Sequence, residues 1–498
     1  MKGFHPMSDR LRDTILIQGF ILIVMAGAML VPSCIAFYQG DADTASAFIL
    51  TLLGCFFIGS YIVMYWKPSP ARVKTRDGYL VVSVSWLVAS LIGAVPMYAS
   101  GAIPSFIDAF FESCSGFSTT GGSILTDIES LPDAVLFWRS FTHWLGGMGI
   151  LVLVMALLPA LGISGQNVAN AETPGPTKDK ITARFSDTAR DLYLIYIGMT
   201  VLETIMLMIS GLSLFDALIH TFGSVGTGGF SNYNASVGHF NNSFAEWIII
   251  IFMFLSGVNF NLFYLTGRRG LSAVLKDDEF RFYGGVVGIF TGLIFLCRIF
   301  TGGFCGYSSL GEYFRDTLFQ VVSIITTTGF MTDDYDVWPT FAKMLILTLF
   351  FIGACSSSTG GGIKCVRILV AVKLVSRGIS LKLHPHRIAG VTMNRRELSN
   401  DVVINITNFI FTYLLIFGTG FLLISLDGHD FISSFSASAS CLGNIGPGFN
   451  LFGPAMNYSI MSGFTKTVCA FLMLIGRLEL FTMLVLFSRH FWNPNKCY

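Results

Sequence analysis

Four times in this chain a short polar stretch ends on glycine at a fixed distance from an acidic or hydroxyl residue. Asp108 precedes Gly121 in Thr119-Thr120-Gly121, Asp216 precedes Gly229 in Thr227-Gly228-Gly229, and Asp316 precedes Gly329 in Thr327-Thr328-Gly329, each by thirteen positions. The fourth stretch, Asn444-Ile445-Gly446, keeps the interval with Ser433 in place of Asp. The chemistry such loops suit is that of the backbone. Glycine accepts angles that other residues avoid, so the loop can turn its carbonyls toward a common axis. Stacked rings of carbonyls can replace the hydration shell of an alkali cation.

Each loop follows a short apolar segment, as in FIDAFFESCSGF from Phe106, which is too short to cross a bilayer. Irregular backbone at membrane depth is tolerated only where it is buried in protein or lines a wet cavity. Four half helices entering from one face should therefore meet at a common axis, their negative C-terminal dipole ends facing a cation there. Asp108, Asp216, Asp316 and Ser433 suit the N-caps of these half helices, with direct ion contact as the other reading of the acids. Glu112, inside the first half helix, needs a donor partner or a place facing the vestibule, since an unpaired charge at that depth is costly.

The solvent is lipid. Of 498 residues 53% are hydrophobic and 12% charged, with 47 Phe and 52 Gly, and the mean hydropathy is +0.66; a water-soluble chain needs far more charge. A net charge of +1 gives no reason to expect nucleic acid. The ten Cys never form CxxC, which argues against a zinc site or a disulfide framework.

Spans are expected near 14–38, 45–66, 78–100, 134–158, 191–212, 245–266, 281–300, 339–376, 402–426 and 462–488, ten crossings in all. Lys and Arg cluster in alternate connections, around Lys67 to Arg76, Lys178 to Arg190, Arg268 to Arg281 and Lys364 to Arg396. These connections and both termini are therefore expected in the cytoplasm. The N-terminal MKGFHPMSDRLRD has no secretory signal pattern and reads as a retained end. The loops 101–132, 213–244 and 427–458 hold no Lys or Arg and belong on the opposite side. The expected fold is an all-α membrane protein with four tandem units of helix, half helix, glycine loop and helix, preceded by two further helices. The corresponding divisions are 1–70, 71–160, 161–280, 281–380 and 381–498.

The stretches FxDAFFExxSGFSTTGG, FWRSFTHWLGGMGI, AETPGPTKDKITARFSDTA, FQVVSIITTTGFMTDDYDVWP, GACSSSTGGGIK, CLGNIGPGF and GRLELFTMLVLF resemble the Trk/Ktr/HKT superfamily of potassium transporters, most closely the membrane subunit of bacterial Trk systems. The likeness runs from Gly78 to Trp492. It implies a potassium-channel-like pseudo-tetramer in the bacterial cytoplasmic (inner) membrane, assembled as a homodimer. The filter glycines carry over to Gly121, Gly229, Gly329 and Gly446, and potassium would lie against Thr119, Thr120, Thr227, Gly228, Thr327, Thr328, Asn444 and Ile445. No nucleotide-binding domain is expected in the few residues after the last helix. By resemblance, a separate cytoplasmic Trk-type protein binding NAD(H) or adenine nucleotides should regulate it, docking on basic loops such as 364–396. No organic cofactor is expected on this chain.

The eighth span is interrupted by Gly353-Ala354-Cys355-Ser356-Ser357-Ser358-Thr359-Gly360-Gly361-Gly362, residues that destroy helix propensity. It reads as a polar packing kink or, as the resemblance implies, a mobile gating loop across the pore, with Gly360, Gly361, Gly362 and Lys364 in the gate. The family usually has glycine where Ser357 stands. Arg477, in the middle of the last span, needs a partner that Glu479, two residues on, cannot supply from the same helix face. The resemblance places Arg477 in the gate as a barrier to cations or a latch for loop carbonyls; a buried salt bridge to another helix is the other reading. His143 reads as a helix-packing residue. The four units share one orientation, unlike the inverted repeats of many secondary transporters, and neither HExxH nor G-x-S-x-G is present to suggest an enzyme. Proton- or sodium-coupled symport remains the alternative mechanism, since primary structure does not separate it from passive conduction.

Overall fold

The computed structural model describes residues 9–66, 75–149, 185–270, 272–301, 309–386 and 390–492. Two helices, α1 (Asp9–Gln39) and α2 (Ala42–Tyr65), precede four successive units. The first unit is α3 (Thr75–Ala99), α4 (Phe106–Phe117) and α5 (Asp133–Gly147); the second is α6 (Phe185–Ile209), α7 (Leu214–Val225) and α8 (Ser243–Ser256), followed by α9 (Phe260–Arg269). The third is α10 (Asp278–Phe300), α11 (Leu310–Ile325) and α12 (Thr340–Leu349), followed by α13 (Cys365–Leu383). A small hairpin of β1 (Thr392–Met393) and β2 (Arg396–Glu397) leads to the fourth, α14 (Asn400–Ile424), α15 (Phe431–Gly443) and α16 (Gly463–Arg477).

Six of the described helices are long and apolar enough to cross a membrane, or up to eight if two sharply bent pairs count as spans. This is a multi-pass membrane protein; the interruption expected in the eighth span is present, but further closing spans expected to be continuous are also broken. The helix that closes each unit is cut short. Among the sites of interruption, α8 and α9 meet at a bend of 91°, and α16 turns into 481–487 at 111°. The third-unit span stops at Leu349 and resumes only at Cys365, and 150–158 of the fourth expected span lies outside the described residues, as do the basic residues Lys67, Arg72, Lys74, Lys178, Lys180 and Arg184.

In the first and fourth units the closing helix runs into the end of the short helix of the same unit. A Cβ built on Gly146 would lie 1.9 Å from Phe117 O, and one on Gly476 would lie 2.1 Å from Leu442 O. The closing helices thus touch the backbone at the ends of α4 and α15. After α16 the chain reverses through Glu479 and Leu480, both at positive φ (54° and 57°).

Apolar side chains collect in two clusters. One joins α1 to the first and fourth units, with Ile17, Ile21, Met25 and Met29 of α1 alongside Trp86 of α3. The other belongs mainly to the second and third units. Leu442 lies in the first cluster and Ile445 in the second, so the fourth loop stands at their boundary. The exposed face of α2, with Phe57, Tyr61 and Met64, suits lipid.

Candidate ion-coordinating site

The four glycine loops share one backbone path. Thr119, Thr227, Thr327 and Asn444 have φ of 55°, 53°, 57° and 56°, and Gly121, Gly229, Gly329 and Gly446 have φ of 80°, 80°, 84° and 99°, while the residue between each pair has negative φ. Alternation of hand along a strand sends successive amides to one side and carbonyls to the other. The amides point back to the helix ends: Thr120 N–H donates to Ser115 O at 2.9 Å, Gly228 N–H to Gly223 O at 2.8 Å, Thr328 N–H to Ser323 O at 2.8 Å and Ile445 N–H to Ser440 O at 3.0 Å. The carbonyls of Thr119, Thr120, Thr227, Gly228, Thr327, Thr328, Asn444 and Ile445 take no hydrogen bond from any described residue. All eight residues are buried. Three β-branched threonines at positive φ cost about 1–2 kcal/mol each, strain of the kind found at functional sites.

The loops close into a ring in chain order. A Cβ built on Gly121 would lie 1.9 Å from Gly228 O, on Gly229 2.0 Å from Thr328 O, on Gly329 2.3 Å from Ile445 O, and on Gly446 2.5 Å from Thr120 O. These four positions require glycine twice over, by backbone angle and by contact. Asn444 Nδ2–H adds a side-chain tie across the ring to Thr120 Oγ1 at 3.0 Å. Gly121, Gly229, Gly329 and Gly446, with Arg139 and Tyr458, line a half-open cavity of about 150 Å³.

The caps lie earlier than expected. Ser105 and Ser213 cap α4 and α7 by accepting from the amides of Asp108 and Asp216 at 3.4 and 3.1 Å, Ser309 caps α11, and Asp430 caps α15 by accepting from Ser433 N–H at 3.1 Å. Asp108 and Asp216 therefore stand at the third helical position, a capping-box arrangement, and Asp316 stands deeper because α11 has 16 residues against 12 in α4 and α7. Asp108 pairs with Lys466 of α16 at 2.7 Å, and Asp216 accepts from Asn232 Nδ2–H at 2.7 Å.

Glu112 has the donor partner its burial demands. Arg139 of α5 lies 2.6 Å from it, and Ser123 Oγ–H and Ile124 N–H donate to it at 2.9 and 3.0 Å, fixing the chain just after Gly122. The Arg139 guanidinium also stacks on Phe230 of the second loop at 4.2 Å. Arg139 lies outside the sequence-predicted set, although an arginine in an apolar run is the same signal that marks Arg477. His143 is a packing residue: its Nδ1–H donates to Gly116 O at 2.8 Å and its Nε2 accepts from Phe230 N–H at 3.2 Å, and its ring fills the space a side chain on Gly228 would need. Tyr458 Oη–H donates to Gly446 O at 2.7 Å.

The interrupted span lies against the ends of α11 and α15. Gly361 N–H donates to Thr327 Oγ1 at 2.7 Å, and a Cβ on Gly360 or Gly361 would press on Thr326 O or Gly443 O at 2.8 or 2.5 Å. Lys364 Nζ donates back to Gly360 O. Gly353, Ser357, Gly362 and Lys364 all have positive φ (77°, 51°, 76° and 78°). Arg477 reaches this loop, donating to Thr359 O at 2.5 Å and to Gly146 O and Gly147 O at 2.6 and 2.7 Å. Glu479 pairs instead with Arg367 at 2.5 Å. The structure thus gathers the twelve loop residues, the triple glycine, Lys364 and Arg477 in one region.

The chain matches the TrkH family model, described as a cation transport protein, over residues 45–270 and 286–494. It is 38% identical over 483 residues to the Trk system potassium uptake protein TrkH of Escherichia coli K12, covering 96% of this chain and 98% of that protein. Against the protein of the same name from Vibrio parahaemolyticus the identity is 36% over 490 residues, covering 97% and 99%. The crystal structure of the potassium transporter TrkH from Vibrio parahaemolyticus superposes with a TM-score of 0.86 at 33% identity, covering 97% of this chain and 100% of that one.

Proposed function

Because the chain belongs to the TrkH family of cation transport proteins, we propose that it carries potassium into the cell across the cytoplasmic membrane through the ring of four glycine loops. The family is one of transporters, not of enzymes. The observation that carries the reading is the set of eight buried carbonyls, two from each loop, left unbonded by the described residues and backed by amides tied to the helix ends. Such carbonyls suit a dehydrated monovalent cation. The relatives named as potassium uptake proteins support potassium as that cation.

In this reading the loop from Phe350 to Lys364 is the gate. It packs against two of the four helix ends and is latched by Arg477, so moving it would open the path below the ring. The regulator is a separate cytoplasmic protein that binds NAD(H) or adenine nucleotides and docks on the basic region 364–396, and the membrane subunit pairs as a homodimer. Current through purified protein in a planar bilayer tests the central claim. Reversal should follow the potassium equilibrium potential whatever proton and sodium gradients are imposed. Equal permeability to potassium and sodium would overturn the selectivity, and a reversal potential that tracks protons or sodium would replace conduction by symport.

A further inference from the structure

Three consecutive acids open α10, and they face two different parts of the molecule. Asp277 caps the helix, accepting from Phe280 N–H at 2.9 Å. Asp277 and Asp278 also hold the tip of the β1–β2 hairpin. Asn394 Nδ2–H donates to Asp277 at 2.8 Å, Asn394 N–H donates to Asp278 at 3.0 Å, and Asn394 Oδ1 accepts from Asp278 N–H at 2.8 Å. Lys373 of α13 braces the same joint, lying 3.3 Å from Asp278 and donating to Thr392 O at 2.8 Å.

The next residue, Glu279, is buried and turned the other way, into the interrupted span. Its Oε1 accepts from Ser356 N–H at 2.6 Å and from Val366 N–H at 3.2 Å, and its Oε2 accepts from Ser356 Oγ–H at 2.6 Å. Ser356 and Val366 lie on either side of Gly360-Gly361-Gly362, so one carboxylate fastens both ends of the loop. Hydrogen bonds to a charged acceptor are the stronger class, and both amides would be left buried without it.

We infer that the Asp277-Asp278-Glu279 turn is a mechanical joint that ties the hairpin tip to the loop beneath the ring, with Glu279 as its positioning residue. The inference rests on the reading of that loop as a gate only for its effect on flux. The hairpin is the exposed end of the joint: Arg395, Arg396 and Glu397 face outward, while Met393 and Val391 pack on α13 and α14 beside Val370 and Ile406. A partner with an acidic surface that displaces the tip would pull on the first turn of α10. Because residues 277 to 279 share one helical turn, that pull reaches Ser356 without passing through any mobile chain.

The test reads the loop directly. Cys355, beside Ser356, is fully buried, so its modification by a thiol reagent, in full-length protein whose other cysteines are replaced, reports loop opening. Glu279→Ala should raise that rate by about tenfold by removing both amide acceptors. Glu279→Gln should stay within about twofold, because its amide oxygen accepts the two N–H groups and its amide N–H donates to Ser356 Oγ. Asn394→Gly keeps the left-handed turn, φ 48°, and deletes only the side-chain bonds; it should raise the rate about threefold although Asn394 does not touch the loop. A raised rate in Glu279→Ala with none in Asn394→Gly overturns the joint, and no rise in either overturns the clamp as well. Raised Cys355 reactivity with unchanged potassium flux in proteoliposomes supports the joint and overturns the gate reading instead.

Discussion

Arg477 is hydrogen bonded to the carbonyl of Thr359 at 2.5 Å, across 118 residues of chain. The bond joins the end of the last closing helix to the loop beneath the ring, and the same guanidinium holds Gly146 and Gly147 of α5. Glu479 has its own partner in Arg367, so deleting the charge of Arg477 does not orphan it. Arg477→Gln should therefore reach the membrane at normal abundance. Losing charge-assisted bonds worth about 1.5–3 kcal/mol each should free the loop, and flux per molecule should rise by about tenfold, the equivalent of about 1.4 kcal/mol on a barrier. Isotope uptake normalised to membrane abundance checks this; normal abundance with unchanged or lower flux would rule out both latch and barrier.

Gly121→Ser places a side chain where the Gly228 carbonyl stands, at a residue whose φ of 80° already disfavours one. The potassium-to-sodium permeability ratio should fall. Gly122→Ala is the matched control, since its Cβ would lie 3.1 Å from the Tyr458 ring and 3.5 Å from Gly446 O, a contact without the overlap met at Gly121. Bi-ionic reversal potentials should separate the two, with the larger loss in Gly121→Ser.

Glu112→Gln leaves Arg139 as a buried cation without its carboxylate, at a cost of about 3–5 kcal/mol. The purified protein should melt at lower temperature, and Glu112→Gln combined with Arg139→Met should recover part of the loss. Equal melting temperatures for the wild type and Glu112→Gln would show that the pair contributes nothing to stability.

Ser357 occupies the left-handed region at φ 51°. Comparing Ser357→Gly with Ser357→Ala removes the hydroxyl in both and isolates the Cβ, which costs about 1 kcal/mol in that conformation. The glycine variant should be the more stable of the two in thermal unfolding. The reverse order would mean that flexibility of the unfolded chain outweighs the strain relieved.

The four loops were legible because glycine, threonine and spacing are local properties, and the structure brings together the twelve loop residues while leaving Asp108, Asp216, Asp316 and Ser433 in the half helices. Hydropathy marked ten apolar regions, and the glycines and serines from Gly353 to Gly362 marked the break in the eighth span, but nothing as plain marked the bends after Ser256 and Arg477. Residues 463–477 are as apolar as an intact span; what ends them is the backbone of another helix, met through Gly476. The caps were written in Ser105-x-x-Asp108 and Ser213-x-x-Asp216, a spacing that assigns the acid to the third position rather than the cap. The partners of Glu112, Arg477 and Glu279 lie 27, 118 and 77 residues away, and no pattern along the chain encodes such pairings. His143 illustrates the same limit: its role as packing was readable, but not that it stands in for the missing side chain of Gly228.

The ring is made of one polypeptide, and that gives genetics a resolution that four identical subunits would deny. A substitution in a homotetramer alters all four quadrants at once, whereas here each codon owns a single quadrant. The glycine of each loop leans on the carbonyl of the next, so a change at Gly121 is felt at Gly228 and a change at Gly446 at Thr120. If the ring is the filter proposed above, selectivity can drift in quarter steps while three quadrants stay unaltered. On that proposal, this chain can sample intermediate filters that a ring of four identical subunits would have to cross in one leap.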